Sequence, residues 1–228
     1  MASLYTAVGR LERRAGENGR YPVIIVNREE YMVSIPEMVV WTCCSWRILE
    51  LAAIGGLYRQ MAQSAGIDDV TGVEGCVERL LRRGLIMKGS GDSGADALYD
   101  LLSNLYIIPV TSGIFTKAMA FLKFVFVNRM PFGKAKAVFR NEALADDEKR
   151  VVGLARQAQL STAELIKCVE TDVYDLSSDE KVMAALYNDD ETTCDNIGSY
   201  AKLFKRQRAV LETVANLYLR KLIIFERI

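Results

Sequence analysis

The chain has no histidine. That removes the side chain most used as a general base, and the commonest metal ligand, near neutral pH. No C-x-x-C pair supplies the usual zinc spacing. Neither a P-loop nor a G-x-S-x-G nucleophile turn is found. An enzyme, a metal and a cofactor are therefore all unexpected. An excess of either charge is missing as well. Lys+Arg and Asp+Glu number 29 each, so net charge gives no bulk attraction to nucleic acid or acidic lipid. The most apolar stretch, IFTKAMAFLKFVFV at 114–127, is too short to span a membrane and carries Lys117 and Lys123. No membrane insertion is expected. Arg10, Glu12, Arg13 and Arg14 come early, with no apolar run ahead of a cleavage site, so the expected compartment is the cytoplasm. Five cysteines without regular spacing argue against a disulfide framework. The vicinal pair Cys43-Cys44 reads either as a redox switch or as two small core residues of a helix.

What is present is a folded chain's composition. Half of the 228 residues are hydrophobic and a quarter are charged. The organising stretch is 71–87, TGVEGCVERLLRRGLIM. Thr71 and Glu74 have capping-box spacing. Val73, Val77, Leu80 and Leu81 give one apolar helical face. Gly84 falls where a left-handed C-cap is wanted, and Leu85, Ile86 and Met87 follow as a strand.

Along the chain, 23–26 (VIIV) reads as a buried strand and Tyr31–Val33 as a second. Ser34 and Glu37 form another capping box, with Pro36 in the first turn. The helix that follows is expected to run to about Ala53, with Met38, Trp41, Ile48, Leu49 and Ala52 inward, and to break at Gly55-Gly56. A second helix is expected over 57–64. GSGDSG at 89–94 reads as a flexible turn with acidic charge. A helix from Ala95 to about Tyr106, ended by Pro109, comes next. The 114–127 stretch reads as strands, in a hairpin with 136–140. From Lys117 to Arg140 the charged residues are all basic and interleaved with Phe121, Phe124, Phe126, Phe132 and Phe139. That is either a nucleic-acid face or a sheet with core Phe and solvated Lys. Asp146–Arg150 reads as a charged turn. Ser161–Glu164 and Ser177–Glu180 are further capping boxes. Nine acidic residues lie between Glu170 and Asp195 without calcium-loop spacing, and read as a solvated surface. Residues 197–220 read as one long helix with a basic stripe, before a final strand at 222–225. VERLLRRGLIMKG from Val77 echoes VANLYLRKLIIFE from Val214. That echo is open between chance and two related halves.

The expected fold is α+β and helix-rich: a winged-helix-like half over 1–110, packed on a mainly antiparallel sheet, and a second half over 111–228 with a sheet hairpin and helices. The strand, the S-x-P-E-capped helix, LLRRGLI, the glycine turn and ALYDLLSNLYIIPV together resemble the N-terminal half of EspG-like chaperones of type VII (ESX) secretion, over roughly 22–127. The resemblance implies two pseudo-symmetric α+β halves and a cytosolic chaperone or adaptor that holds a small helical partner. It transfers no binding residue. Exposed apolar groups at Phe124 and Phe126, and the turn at Gly89 and Asp92, are the expected partner-binding positions. The alternative is a winged-helix transcriptional regulator reading DNA through Arg79, Arg82 and Arg83. Glu74 and Glu78 on the same helix, and the acidic turn after it, oppose that alternative.

Overall fold

The computed structural model describes residues 1–16, 19–66, 72–110, 144–189 and 191–228. Thr71, the 114–127 and 136–140 hairpin, Phe124, Phe126 and the basic stretch between Lys117 and Arg140 lie outside those residues. The structure is α+β with antiparallel sheets. Strands β1 (Ala2–Ala7), β2 (Arg10–Gly16), β3 (Gly19–Val26) and β4 (Glu29–Met32) open the chain. Helices α1 (Ile35–Cys44), α2 (Leu51–Ala65) and α3 (Gly72–Arg82) lead into β5 (Ile86–Gly91). Helix α4 (Gly94–Ser103) and strand β6 (Leu105–Pro109) follow. The last third holds α5 (Asp146–Gln157), β7 (Leu160–Ser161), α6 (Thr162–Glu170), α7 (Asp179–Leu186), α8 (Ile197–Ala201), α9 (Gln207–Leu219) and β8 (Ile223–Arg227).

Among the described residues the strands form three sheets. β2, β3 and β4 form a meander, β1 pairs with β5, and β6 lies between β7 and β8. They meet at the β1–β2 corner, where the Val8 N–H donates to the Leu85 carbonyl and the Gly9 N–H to that of Phe225. One cluster of buried side chains runs through all of it, from Tyr5 and Ile24 through Leu80, Leu102 and Leu165 to Phe225.

Several local expectations hold. Ser34 and Glu37 cap α1 reciprocally, and Ser161 and Glu164 do the same for α6. Gly84 is left-handed (φ 65°), and the Leu85 N–H returns to the Leu80 carbonyl at 2.9 Å. That is the six-to-one closure of a Schellman motif. Lys221 (φ 61°) does the same after α9, with the Leu222 N–H on the Leu217 carbonyl at 2.9 Å. The two echoing segments thus share a helix-to-strand geometry. Cys43 and Cys44 are both fully buried, and burial pushes the Cys44 thiol up to about 12.

Other expectations are corrected. Helix α1 stops at Cys44, because residues 45–50 turn to meet β1. Tyr5 and Leu49 exchange backbone hydrogen bonds at 2.8 and 3.0 Å. Gly55-Gly56 does not break a helix. Both lie inside α2, which Ile54, Tyr58 and Ala62 hold against the core. Each interior glycine costs about 1 kcal/mol, less than such burial returns. The expected helix beyond Ser103 is strand β6, with Leu105 and Ile107 buried in alternation and paired to β8. Asp146–Arg150 is the first turn of α5, where acidic side chains suit the helix N-terminus. The cap of α7 is Ser178, which accepts from the Lys181 N–H, one position beyond the expected Ser177. The long helix of 197–220 is two helices, α8 and α9.

The 89–94 stretch is not a flexible turn. Gly89 and Gly91 belong to β5 and are pressed on α4. A Cβ at Gly89 would lie 2.3 Å from the Ala97 carbonyl oxygen and the Leu101 nitrogen. The winged-helix expectation fails at the same place: β5 pairs with β1 and continues into α4, where a wing would send back a second strand.

Candidate protein-binding site

Arg79 and Arg82 of α3, and Arg83 just after it, have partners within the fold. Arg79 Nε donates to the Glu37 carboxylate at 2.9 Å, and its guanidinium also meets Cys76 Sγ at 3.2 Å. Arg83 donates to the Met32 carbonyl and lies 3.6 Å from Glu37. Arg82 is exposed and pairs with Glu78 one turn back, at 3.3 Å. Burial pushes the Glu37 carboxyl up, but hydrogen bonds from Ser34 and Arg79 outweigh it and hold the group below its usual range. Two of the three residues expected to face phosphates therefore neutralise a buried capping carboxylate or tie down a loop.

Gly89 is buried and offers a partner little surface, while Asp92 is exposed. Asp92 lines a cleft of about 540 Å³ with Asp96, Asp100, Asp195 and Lys202. Gly89, Gly91 and Gly94 have the G-x-G-x-x-G spacing between a strand and a helix, which in a parallel βαβ unit marks a dinucleotide turn. The context here differs. β5 is antiparallel to β1, Ser93 caps α4 with its own hydroxyl, and the cleft is ringed by carboxylates. A pyrophosphate would meet like charge there. Among the described residues no group of three or more carboxylate or thiol side chains is placed to hold a metal.

A second cavity, of about 380 Å³, lies between α5, α6 and α9. Its cations Arg150 and Arg206 both pair with Asp172, at 3.2 and 2.7 Å. The third cavity differs. It holds about 460 Å³ at the junction of the β1–β2 corner, the end of α1 and the turn after α9. Trp41 and Trp46 line it, with Arg10, Arg47 and Lys221 around them. Arg10 pairs with Glu12 at 2.9 Å. Among the described residues Arg47 and Lys221 have no carboxylate partner. Arg47 donates to the Cys43 carbonyl at 3.2 Å, and the Lys221 ammonium sits 5.4 Å from the Trp46 ring centroid, a cation–π distance.

The chain builds this pocket from left-handed backbone. Gly9 (φ 79°), Trp46 (φ 52°) and Lys221 (φ 61°) all line it. For a residue as bulky as Trp that conformation is costly and persists only where its surroundings enforce it. Tyr218, buried at the centre, does so. Its hydroxyl accepts from the Trp46 N–H (2.9 Å) and donates to the Ala7 carbonyl (3.2 Å). Thr6 Oγ1 lies 3.0 Å from that hydroxyl and 2.9 Å from the Arg47 carbonyl. Trp41 is anchored separately, its indole N–H donating to the Val8 carbonyl at 3.2 Å. The Trp46 indole N–H is buried with no acceptor among the described residues. Sequence reasoning placed Trp41 in the core and passed over Trp46, Arg47 and Lys221. The available signal was that both tryptophans of the chain fall within WTCCSWR.

No family model, curated protein or solved structure matches this chain. The site therefore rests on its own geometry. Among the described residues no helix is long and apolar enough to cross a membrane.

Proposed function

We propose that this chain is a non-enzymatic, cytosolic protein-binding adaptor or chaperone that holds a small helical partner, in the manner implied by its resemblance to EspG-like type VII secretion chaperones. The observation that carries this reading is the tryptophan-lined pocket. An aromatic surface beside Arg47 and Lys221, which have no carboxylate partner among the described residues, is the composition of an interaction hot spot, where Trp and Arg are enriched. The winged-helix regulator is the weaker reading. Its presumed contacts at Arg79 and Arg83 are engaged within the fold, and a wing is absent among the described residues.

The test is co-expression of the chain with each small helical protein encoded beside its gene, followed by size-exclusion chromatography. Co-elution that survives moderate salt is expected, because apolar burial is not screened as exposed ion pairs are. A mobility shift with upstream duplex DNA, at two salt concentrations, is the opposing arm. Tight, steeply salt-dependent DNA binding, lost when Arg79, Arg82 and Arg83 become Ala, would overturn the adaptor reading.

A further inference from the structure

We infer that the Trp41–Trp46 pocket receives an acidic amphipathic helix of the partner: one large apolar side chain rests against the indoles, and a carboxylate one turn along is held by Arg47 and Lys221. This deepens the adaptor reading and rests on it. Volume comes first. At about 460 Å³ the cavity is within the range of ligand sites, with room for an anchor side chain and part of the turn that carries it. Charge comes second. Arg47 and Lys221 flank the aromatic surface and lack carboxylate partners among the described residues, so an incoming carboxylate meets complementary potential. Spacing comes third, since an anchor and a charge at i and i+3 or i+4 lie on the same helical face.

The chain's own acidic stretch is a poor occupant. Asp172 serves Arg150 and Arg206, Asp175 serves Lys181, and Asp189 serves the buried Lys167. Those three aspartates are engaged within their own fold, and the proposed occupant is a partner of different sequence, with a second copy left as an outcome of the test.

Both tryptophans of the chain line this pocket, so intrinsic tryptophan emission of the full-length protein reports on it without a label. The experiment selects a tryptophan-free displayed library of amphipathic helical peptides on the wild-type chain, counter-selecting with Arg47→Gln/Lys221→Gln. Recovered peptides are synthesised and titrated by emission. Enrichment of an apolar residue with Asp or Glu at i+3 or i+4, a saturable emission change, and affinity roughly tenfold weaker in the double variant are expected for two lost exposed ion pairs. Recovery of basic or charge-indifferent helices, equal affinity in the double variant, or sedimentation showing that a second copy fills the pocket would each overturn the inference. Circular dichroism of the double variant confirms that it folds, since both side chains are exposed. The two readings fail separately. A neighbouring helical protein that co-elutes equally well with the double variant removes the pocket inference and leaves the adaptor. Pocket-dependent peptides without any co-eluting protein remove the adaptor and leave the pocket.

Discussion

Replacing Tyr218 by Phe deletes one oxygen from the middle of the molecule. The ring keeps its stacking on Phe225, centroids 4.2 Å apart, so no cavity of consequence opens. What is lost is the acceptor for the Trp46 N–H, the bond to the Ala7 carbonyl and the contact with Thr6. Thr6 keeps its bond to the Arg47 carbonyl. The main cost is then the stranded Trp46 N–H in a partly buried setting, about 1–2 kcal/mol. For a chain of this size that lowers Tm by roughly 2–8 °C. The same change should loosen the left-handed Trp46 backbone. Emission should shift to the red and become easier to quench with acrylamide, while Trp41, held by Val8, contributes a constant background. Tyr218→Ala removes the ring too and should cost about 3–5 kcal/mol. Differential scanning calorimetry and emission spectra on the three proteins decide it. A Tyr218→Phe protein with wild-type Tm and wild-type emission would refute the claim that this hydroxyl holds the pocket.

Gly89→Val should separate β5 from α4, because its Cβ starts 2.3 Å from two backbone atoms of the helix. Overpacking of that kind costs roughly 1–3 kcal/mol or more. Gly94→Ala, whose Cβ meets nothing within 4 Å, is the neutral control. Equal thermal melts for the two would disprove the close packing. Of the five free cysteines only Cys194 is exposed, and burial pushes the Cys44 and Cys168 thiols up to about 12. Ellman's reagent on native protein should find one fast thiol, with the other four reacting after denaturation. Two further fast thiols at Cys43 and Cys44 would restore the redox-switch reading.

Caps and closures were legible in the sequence because they are short-range. Ser34–Glu37 and Ser161–Glu164 satisfy helix N–H groups within a single turn, so their spacing suffices. Gly84 was legible for the same reason: a left-handed closure wants a residue without a Cβ. The errors are of another kind. Gly55-Gly56 and Gly89–Gly94 were both read as interruptions, since glycine marks flexibility when its surroundings are unknown. The first pair is tolerated in a helix by core contacts on either side, and the second lets a helix approach a strand. Leu105 and Tyr106 read as the end of a helix because a short apolar run fits either period, and β8 arbitrates from the far end of the chain.

The candidate site was the least legible part. Trp46 is left-handed because a tyrosine hydroxyl from α9 meets its N–H, and the pocket closes only when β1, α1 and the turn after α9 meet. The sequence by itself determined the α+β class, the Ser34 and Ser161 capping boxes, the Gly84 closure and the lack of histidine chemistry. Each depends on residue type or on neighbours within one turn. Only the tertiary structure decided which strand β5 pairs with, that Arg79 and Arg83 serve Glu37 and Met32, and that two tryptophans share one cavity with two cations that have no acidic partner among the described residues. Those are pairings between distant parts of the chain, and periodicity constrains a residue's face without naming the surface it will meet.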